Sequence, residues 1–275
     1  MLIKNVFFFI FLFFFLFGCT EKEDKSFTVS EEVTVLENSS SPLQKIDNFN
    51  VEGFTEKGEK EWEIEAKTAD VTEGLVKMEE VKATFWDEQG RVDLESDKGE
   101  YDKEGKKVYL NNNVLVRTSE GTKLVTDKLI WDVQKQEATT DEEVVVEKEG
   151  LVASGKGAVA VTEEKKVELK ESVKVKADSG TVITCKGPLE LDYEKNISKF
   201  FEEVRVEDER GEIFADRMEV LFNPKQREIE KVFAYGNVKI IHEGNVAYAD
   251  EAVYDAGEKK VLLKGNPRLV IVPKD

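Results

Sequence analysis

Four aspartates, Asp97, Asp127, Asp216 and Asp250, recur at one place in a repeated sequence unit, each behind a small residue (Ser96, Thr126, Ala215, Ala249). Carboxylates in register can bind calcium, which takes oxygen ligands. The glycine-and-aspartate pattern of calcium-binding β-solenoids is missing, however, and two other copies carry Gly155 and Gly187 there. These aspartates therefore read as turn and edge residues, and no metal site is expected. His242 is the sole histidine and sits beside Glu243-Gly244, a turn sequence. With no nucleophile or second ligand in its company, it reads as a solvated turn residue. Of the two cysteines, Cys185 follows Thr184 at a position filled elsewhere by Ser96, Thr126, Ser154, Ala215 and Ala249. It reads as a small strand residue, not a reactive thiol. No carboxylate pair or basic cluster stands out from the repeat. The chain is expected to have no catalytic residues and no cofactor, and not to be an enzyme.

The elements that hold these residues repeat about every thirty residues. The landmark of the unit is a polar residue followed by an apolar one: Glu80-Val81, Asn113-Val114, Glu143-Val144, Ser172-Val173, Glu203-Val204, Asn237-Val238 and Asn266-Pro267. It reads as a short polar corner leading into an apolar strand. Alternation is strict around it, as in Val108, Leu110, Val114 and Val116, or Val167, Leu169, Val173 and Val175. Period two over such lengths means strands with one apolar face. A glycine follows each of the first six landmarks: Gly90, Gly121, Gly150, Gly180, Gly211 and Gly244. Glycine tolerates the positive φ of tight turns, so these mark hairpins. Each unit is then two antiparallel strands and two turns. Seven units predict about 14 strands and a stack about 65 Å long. A sheet that large with one apolar face must curl. The expected fold is all-β, an elongated antiparallel sheet rolled around an apolar interior, with both end strands open. Trp62, Trp86 and Trp131 fall within strands and read as core or edge packing.

The first nineteen residues are a separate object. Lys4 supplies charge, and Val6 to Phe17 is unbroken apolar sequence, short for a spanning helix but normal for a secretory segment. Leu16-Phe17-Gly18-Cys19 resembles a bacterial lipobox, which implies that Cys19 becomes a lipidated N-terminus. The alternative is an uncleaved anchor. Either way the remainder is expected outside the cytoplasm and tethered to a membrane. Residues 20–42 are polar and acidic and read as a flexible tether. Without Cys19, Cys185 has no disulfide partner. A formal net charge of −18 excludes the basic face that nucleic acid needs, and reads mainly as solubility for a strand-rich surface.

Residues Phe49 to Glu171 resemble the LptC family, the periplasmic component of the lipopolysaccharide transport (Lpt) bridge. The resemblance rests on Gly58…Trp62-Glu63-Ile64-Glu65-Ala66, Asp97…Tyr101-Asp102, Leu110…Asn113-Val114-Leu115-Val116, Leu124-Val125-Thr126-Asp127…Trp131-Asp132 and Gly150-Leu151…Gly155-Lys156-Gly157. The remainder resembles the LptA, or OstA-like, family through Phe214-Ala215-Asp216, Tyr235-Gly236-Asn237-Val238, Ala249-Asp250 and Leu263-Lys264-Gly265-Asn266-Pro267. LptC-like chains usually stop soon after the glycine pair, whereas this one continues for about 100 residues. Their usual anchor is a transmembrane helix rather than a lipobox. The resemblance implies a β-jellyroll, LptC-like over 43–175 and LptA/OstA-like over 176–275. It implies a groove for the acyl chains of lipopolysaccharide, lined by Leu129, Trp131, Val144, Val146, Val173, Val175, Val204, Val206, Val238 and Ile240. The partners it implies are the inner-membrane Lpt ABC transporter and neighbouring Lpt jellyrolls joined through edge strands. Its expected place is the periplasm, on the inner membrane in preference to the outer. The rival reading is a structural or adhesive β-repeat surface lipoprotein.

Overall fold

The computed structural model describes residues 44–272, apart from short segments at 55–57, 88–89, 120, 133, 136, 149, 162–163, 165, 178–179, 193, 210 and 224–228. The secretory segment, Cys19 and the tether lie outside the described residues. Within them there is no helix, and the strands are long enough to carry the full alternating stretches seen in the sequence. They run β1 (Gln44–Phe54), β2 (Lys60–Val71), β3 (Leu75–Asp87), β4 (Gly90–Asp102), β5 (Lys107–Thr118), β6 (Lys123–Asp132), β7 (Glu137–Lys148) and β8 (Leu151–Val161). There follow β9 (Lys166–Ala177), β10 (Val182–Cys185), β11 (Leu189–Asp192), β12 (Ile197–Asp208), β13 (Gly211–Phe222), β14 (Ile229–His242), β15 (Asn245–Asp255), β16 (Lys260–Lys264) and β17 (Arg268–Val270).

All 17 strands belong to one sheet, and its successive rungs pair antiparallel in chain order. Two strands that are short and consecutive share one rung in two places. β10 and β11 both pair with β9 and with β12, and β16 and β17 both pair with β15. The sheet thus has 15 rungs, close to the 14 strands expected from the repeat, with β1 as the additional one. The hairpin glycines lie at its turns as expected. β1 and the β16–β17 rung each pair on one side only, so both ends are open edges.

The landmark corner does not lead into a strand, as its sequence suggested; it bends one strand in the middle. Glu80, Asn113, Ser172, Glu203 and Asn237 have φ of 52°, 53°, 53°, 52° and 48° inside β3, β5, β9, β12 and β14, and Asn266 (φ 49°) bends the last rung between β16 and β17. The ladder shifts register at these points, for example between Asn111 and Val114, Phe201 and Val204, and Tyr235 and Val238. The shift compensates the bend, so that Leu110 before the corner and Val114 after it both point inward. Each long strand becomes two limbs facing a common interior, which makes the jellyroll.

Side chains outside the corner hold it. Asn113 Nδ2 donates to Asp97 Oδ2 at 2.8 Å, Asn237 Nδ2 to Asp216 Oδ2 at 2.9 Å, and Asn266 Nδ2 to Asp250 Oδ2 at 3.2 Å. Where the corner residue is glutamate, a lysine takes the partner's place: Lys67 donates to Glu80 and Lys186 to Glu203. The recurrent aspartates are therefore corner residues; among the described residues no group of His, Cys, Asp and Glu is arranged to hold a metal.

The core runs the length of the sheet as three buried groups. Ala66, Ala69, Met78 and Val81 form the first. The second spans Ala83 to Ala138 and the third Val144 to Ala252. Ile64 packs against the first two and Leu124 against the last two, so the interior is continuous.

The corner beside Asp216 makes a test of its geometry. Gly236 has φ of 74°, and a Cβ there would lie 2.3 Å from Asp216 Oδ2. Gly236→Ala is expected to lower stability by about 1–2 kcal/mol, from the left-handed backbone cost and loss of the Asp216–Asn237 bond. Urea unfolding measures it, and an unchanged midpoint would show that this corner does not need positive φ at position 236.

Candidate functional site

The interior of the limbs after the corner contains two parallel rows. The inner row lies at the corner itself, where large and small residues alternate from rung to rung. Val81 faces Ser96, Val114 faces Thr126, Val144 faces Gly155, Val173 faces Cys185, Val204 faces Ala215 and Val238 faces Ala249. Two bent strands approach closely here, and one partner in each pair must be small. Gly155, not Ser154 as the repeat suggested, is the small residue opposite Val144, because it shares the inward parity of Leu151 and Ala153 along β8. A Cβ on Gly155 would meet the Glu171 carbonyl oxygen at 3.2 Å.

Two residues further along each strand lies the second row. Its cross-strand partners, rung by rung, are Val51, Ile64, Ala83, Leu94, Val116, Leu124, Val146, Ala153, Val175, Ile183, Val206, Ile213, Ile240, Ala247 and Leu269. Each of the 15 rungs contributes one residue, and every one is apolar. At about 4.8 Å per rung the row is about 65 Å long. The adjacent outward row contains Asn50, Glu65, Lys82 and Glu95 at its start and Arg205, Phe214, Lys239, Tyr248 and Arg268 at its end. In that last stretch cations and aromatics alternate, with Arg205 5.7 Å and Lys239 5.3 Å from the Phe214 ring and Arg268 5.8 Å from Tyr248. This is ordinary cross-strand stabilisation of an exposed face.

All ten residues expected to line a groove lie on the inward face, in three distinct settings. Val144, Val173, Val204 and Val238 occupy the corner row and are 1–2% exposed. Val146, Val175, Val206 and Ile240 occupy the second row and are half-buried, packing against the core from its open side. Leu129 and Trp131 are buried in the limb on the other side of the corner. From β6 to β15 the interior is sealed at the corner and only partly covered two residues further out, whereas in β3 to β5 the second row is itself buried at Ala83, Leu94 and Val116. From Leu124 to Ala247 the second row, rather than the corner row, is the partly exposed part of the interior. Its members Leu124, Ala153, Ile183 and Ile213 are not among the ten expected residues, which lie on landmark strands apart from Leu129 and Trp131 on β6. Their signal is the register of the hairpins, two residues before or after each small corner residue.

The titratable groups here have structural settings. Cys185 is buried in the corner row, its Sγ 3.3 Å from the Gly187 carbonyl oxygen, and burial pushes its thiol up to about 11. His242 is exposed at a strand end, as its turn sequence implied. Asp192 lies well inside an Asx turn; despite partial desolvation, its bonds from Lys195 hold the carboxyl below its usual range.

A family model described as "Lipopolysaccharide-assembly, LptC-related" matches residues 7–178, more than half of the chain. The chain belongs to the LptC-related family. A second model, "LptA/(LptD N-terminal domain) LPS transport protein", matches residues 188–274. No curated protein matches the chain. Among solved structures it is similar to LptH of Pseudomonas aeruginosa, the LptA-homologous periplasmic component of the lipopolysaccharide transport device. That similarity is 16% identity over 68% of this chain and 99% of LptH, with a TM-score of 0.19.

In this LptC-related chain the two matched segments meet around the rung that β10 and β11 share. Lys186-Gly187-Pro188 interrupts that rung, and the Lys186 amide still bonds to the Glu202 carbonyl at 2.9 Å. The ladder continues on both sides, from β9 to β12. The third core group also crosses it, from Val144 and Leu169 through Cys185 and Leu189 to Phe200 and Val204. The sheet and its core therefore continue through the seam.

The buried thiol reports on that seam. A raised thiol pKa favours the neutral form in the folded chain, so this contribution to stability is complete below the free-thiol pKa and is lost as pH rises through about 11. At about pH 8 a disulfide exchange reagent is expected to leave native Cys185 unmodified and to react with it rapidly in denaturant. Rapid modification of the native chain would mean that the seam rung opens.

Proposed function

We propose that this protein is a membrane-tethered segment of the periplasmic bridge that carries lipopolysaccharide towards the outer membrane. Its part is to shield acyl chains while sugars and phosphates stay in water. The observation that supports this most directly is the row of 15 apolar residues without a polar interruption, continuous across both matched segments and only partly buried from Leu124 to Ala247. Each methylene left in water costs about 0.8 kcal/mol, so a lipid with several acyl chains crosses an aqueous space only along such a surface. The half-buried residues Val146, Val175, Val206 and Ile240 meet the chains, and the sealed corner valines with Leu129 and Trp131 form the wall behind them. The protein performs no covalent chemistry; the energy for movement comes from an ATPase complex at the inner membrane.

Two edge strands supply the joints of the bridge. The β16–β17 rung leaves Val261, Leu262 and Leu269 more than half exposed, together with Ile271 and Val272 beyond it. An apolar end with unpaired backbone groups is suited to another jellyroll, whose first strand would extend both ladder and core. β1 offers the matching edge at the other end, towards the inner-membrane transporter. The LptA-like segment takes the place of a separate bridging subunit, and the N-terminal segment, through Cys19 or as an uncleaved helix, holds the chain on the inner membrane.

Site-specific photocrosslinking in cells tests the reading. A crosslinking amino acid at Val146, Val175 or Ile240 is expected to capture lipopolysaccharide, while the same group at the outward positions Val145 and Lys174 is not. Absence of adducts from every inward position would remove the groove from the account.

A further inference from the structure

β1 is bent like the landmark strands but is covered on one side only. Asn48 has φ of 55°, and Phe49 lies opposite Ala66, Val51 opposite Ile64 and Ile46 opposite Ala69. Among the described residues nothing pairs with its other side, and Val51 is 36% and Phe54 55% exposed. Each later landmark strand up to β14 follows, in the chain, a strand with a small residue at the corner. The small residue stands 15 to 23 residues before the landmark's apolar one; Ser96 precedes Val114 by 18 and Cys185 precedes Val204 by 19. Three and five residues after the small one the long strands turn inward again, as with the buried Leu129 and Trp131 in β6 and Met218 and Val220 in β13.

The residues that lead into β1 carry the same pattern. Ser30 stands 19 residues before Phe49, and Val33 and Val35 follow it by three and five. Glu31 occupies the place that Asp97, Asp127, Asp216 and Asp250 take after their small residues. Phe27-Thr28-Val29 and Val33-Thr34-Val35 are residue types that strands prefer. Eight residues separate Val35 from Gln44, and Asn38-Ser39-Ser40-Ser41-Pro42 among them is turn sequence. We infer that residues 26–36 pair antiparallel with the open edge of β1, with Thr28 opposite Val51, Ser30 opposite Phe49 and Val33 opposite Ile46. Phe49 then has a small residue on each side, as Val173 has in Cys185 and Gly155. The segment ends at the first residue of β1, so the pairing is a hairpin within one chain, at an effective concentration on the order of millimolar. A foreign strand has to displace it. The edge that faces the inner-membrane transporter in the bridge reading is thereby closed until a partner strand takes the segment's place. Displacement also lengthens the leash. Residues 20–25 span at most about 20 Å between Cys19 and the sheet, whereas 20–43 span at most about 80 Å. The pairing itself does not depend on lipid transport.

Hydrogen exchange read by mass spectrometry on the full chain in detergent tests the pairing. Amides of residues 28–35 are expected to exchange at least about tenfold more slowly than an unstructured chain. Val33→Pro removes a donor from the new ladder, so it is expected to return them to the unstructured rate and to speed exchange in 44–54, with β3 to β15 unchanged. Exchange of 26–36 at the unstructured rate in the natural chain overturns the pairing, and so does protection that survives Val33→Pro. Paired cysteines test the register. Thr28→Cys with Val51→Cys is expected to close a disulfide within one chain under mild oxidation, whereas Thr28→Cys with Glu52→Cys, on opposite faces, is not. Cys185 is buried and does not compete. Equal closure of the two pairs, or of neither, overturns the register. A disulfide between chains in place of one within the chain assigns the segment to a second copy and overturns the hairpin.

Discussion

A sheet with one apolar face has to hide that face from water, and here it does so against itself. The bend that allows this is the mid-strand corner, a few residues with φ near +50° and a matching shift in the ladder. Without the bend, 15 rungs would present an unprotected apolar slab, which is an aggregation surface rather than a protein. With it, each strand covers its own inner face, and the cost of left-handed backbone falls mainly on asparagine and glycine, which bear it best. Corner packing then requires small residues opposite the valines, and on the outside asparagine–aspartate bonds at three bends and lysine–glutamate pairs at two others tie the bent strand to its neighbour.

The same bend creates the graded interior. At the vertex two limbs converge, and the valines there are sealed. Further out the limbs diverge, and Val146, Val175, Val206 and Ile240 are only half covered. A guest that is itself a flexible apolar chain can complete the packing along this second row without displacing the vertex. The row's uniformity matters more than the depth of any one place in it. A lipid that must move along a path is best served by many equivalent weak contacts, since a deep pocket would hold it in place.

Continuity through the seam sets this chain apart from an assembly of separate jellyrolls. Between the segment matching the LptC-related model and the one matching the LptA-like model, β10 and β11 bond to strands on both sides, and the core passes through Cys185 and Leu189. The break at Gly187-Pro188 falls where other rungs bend, at the corner, so it replaces a bend rather than ending a domain. Proline has no donor to lend the ladder there, and the corner is where none is needed.

Much of this was legible in the residues. Period-two alternation established strands, the glycines located the hairpins, and parity told one face of each strand from the other, since those properties belong to the chain's local geometry, while the structure shows which face turns inward. The corner was visible as a recurring polar residue before an apolar one but read as the start of a strand, because the sequence does not show that the residues before it belong to the same strand. The pairing of Asn113, Asn237 and Asn266 with Asp97, Asp216 and Asp250 was present as composition, yet only the register brought each pair within bonding distance. Likewise the repeat pointed to Ser154, whereas the register of β8 against β7 sets Gly155 opposite Val144. The sequence by itself determined which side chains could face inward and that a long stack would form. Only the tertiary structure decided which of them are sealed and which stay open to a guest, because exposure depends on how far apart the two limbs stand, and no single strand carries that distance.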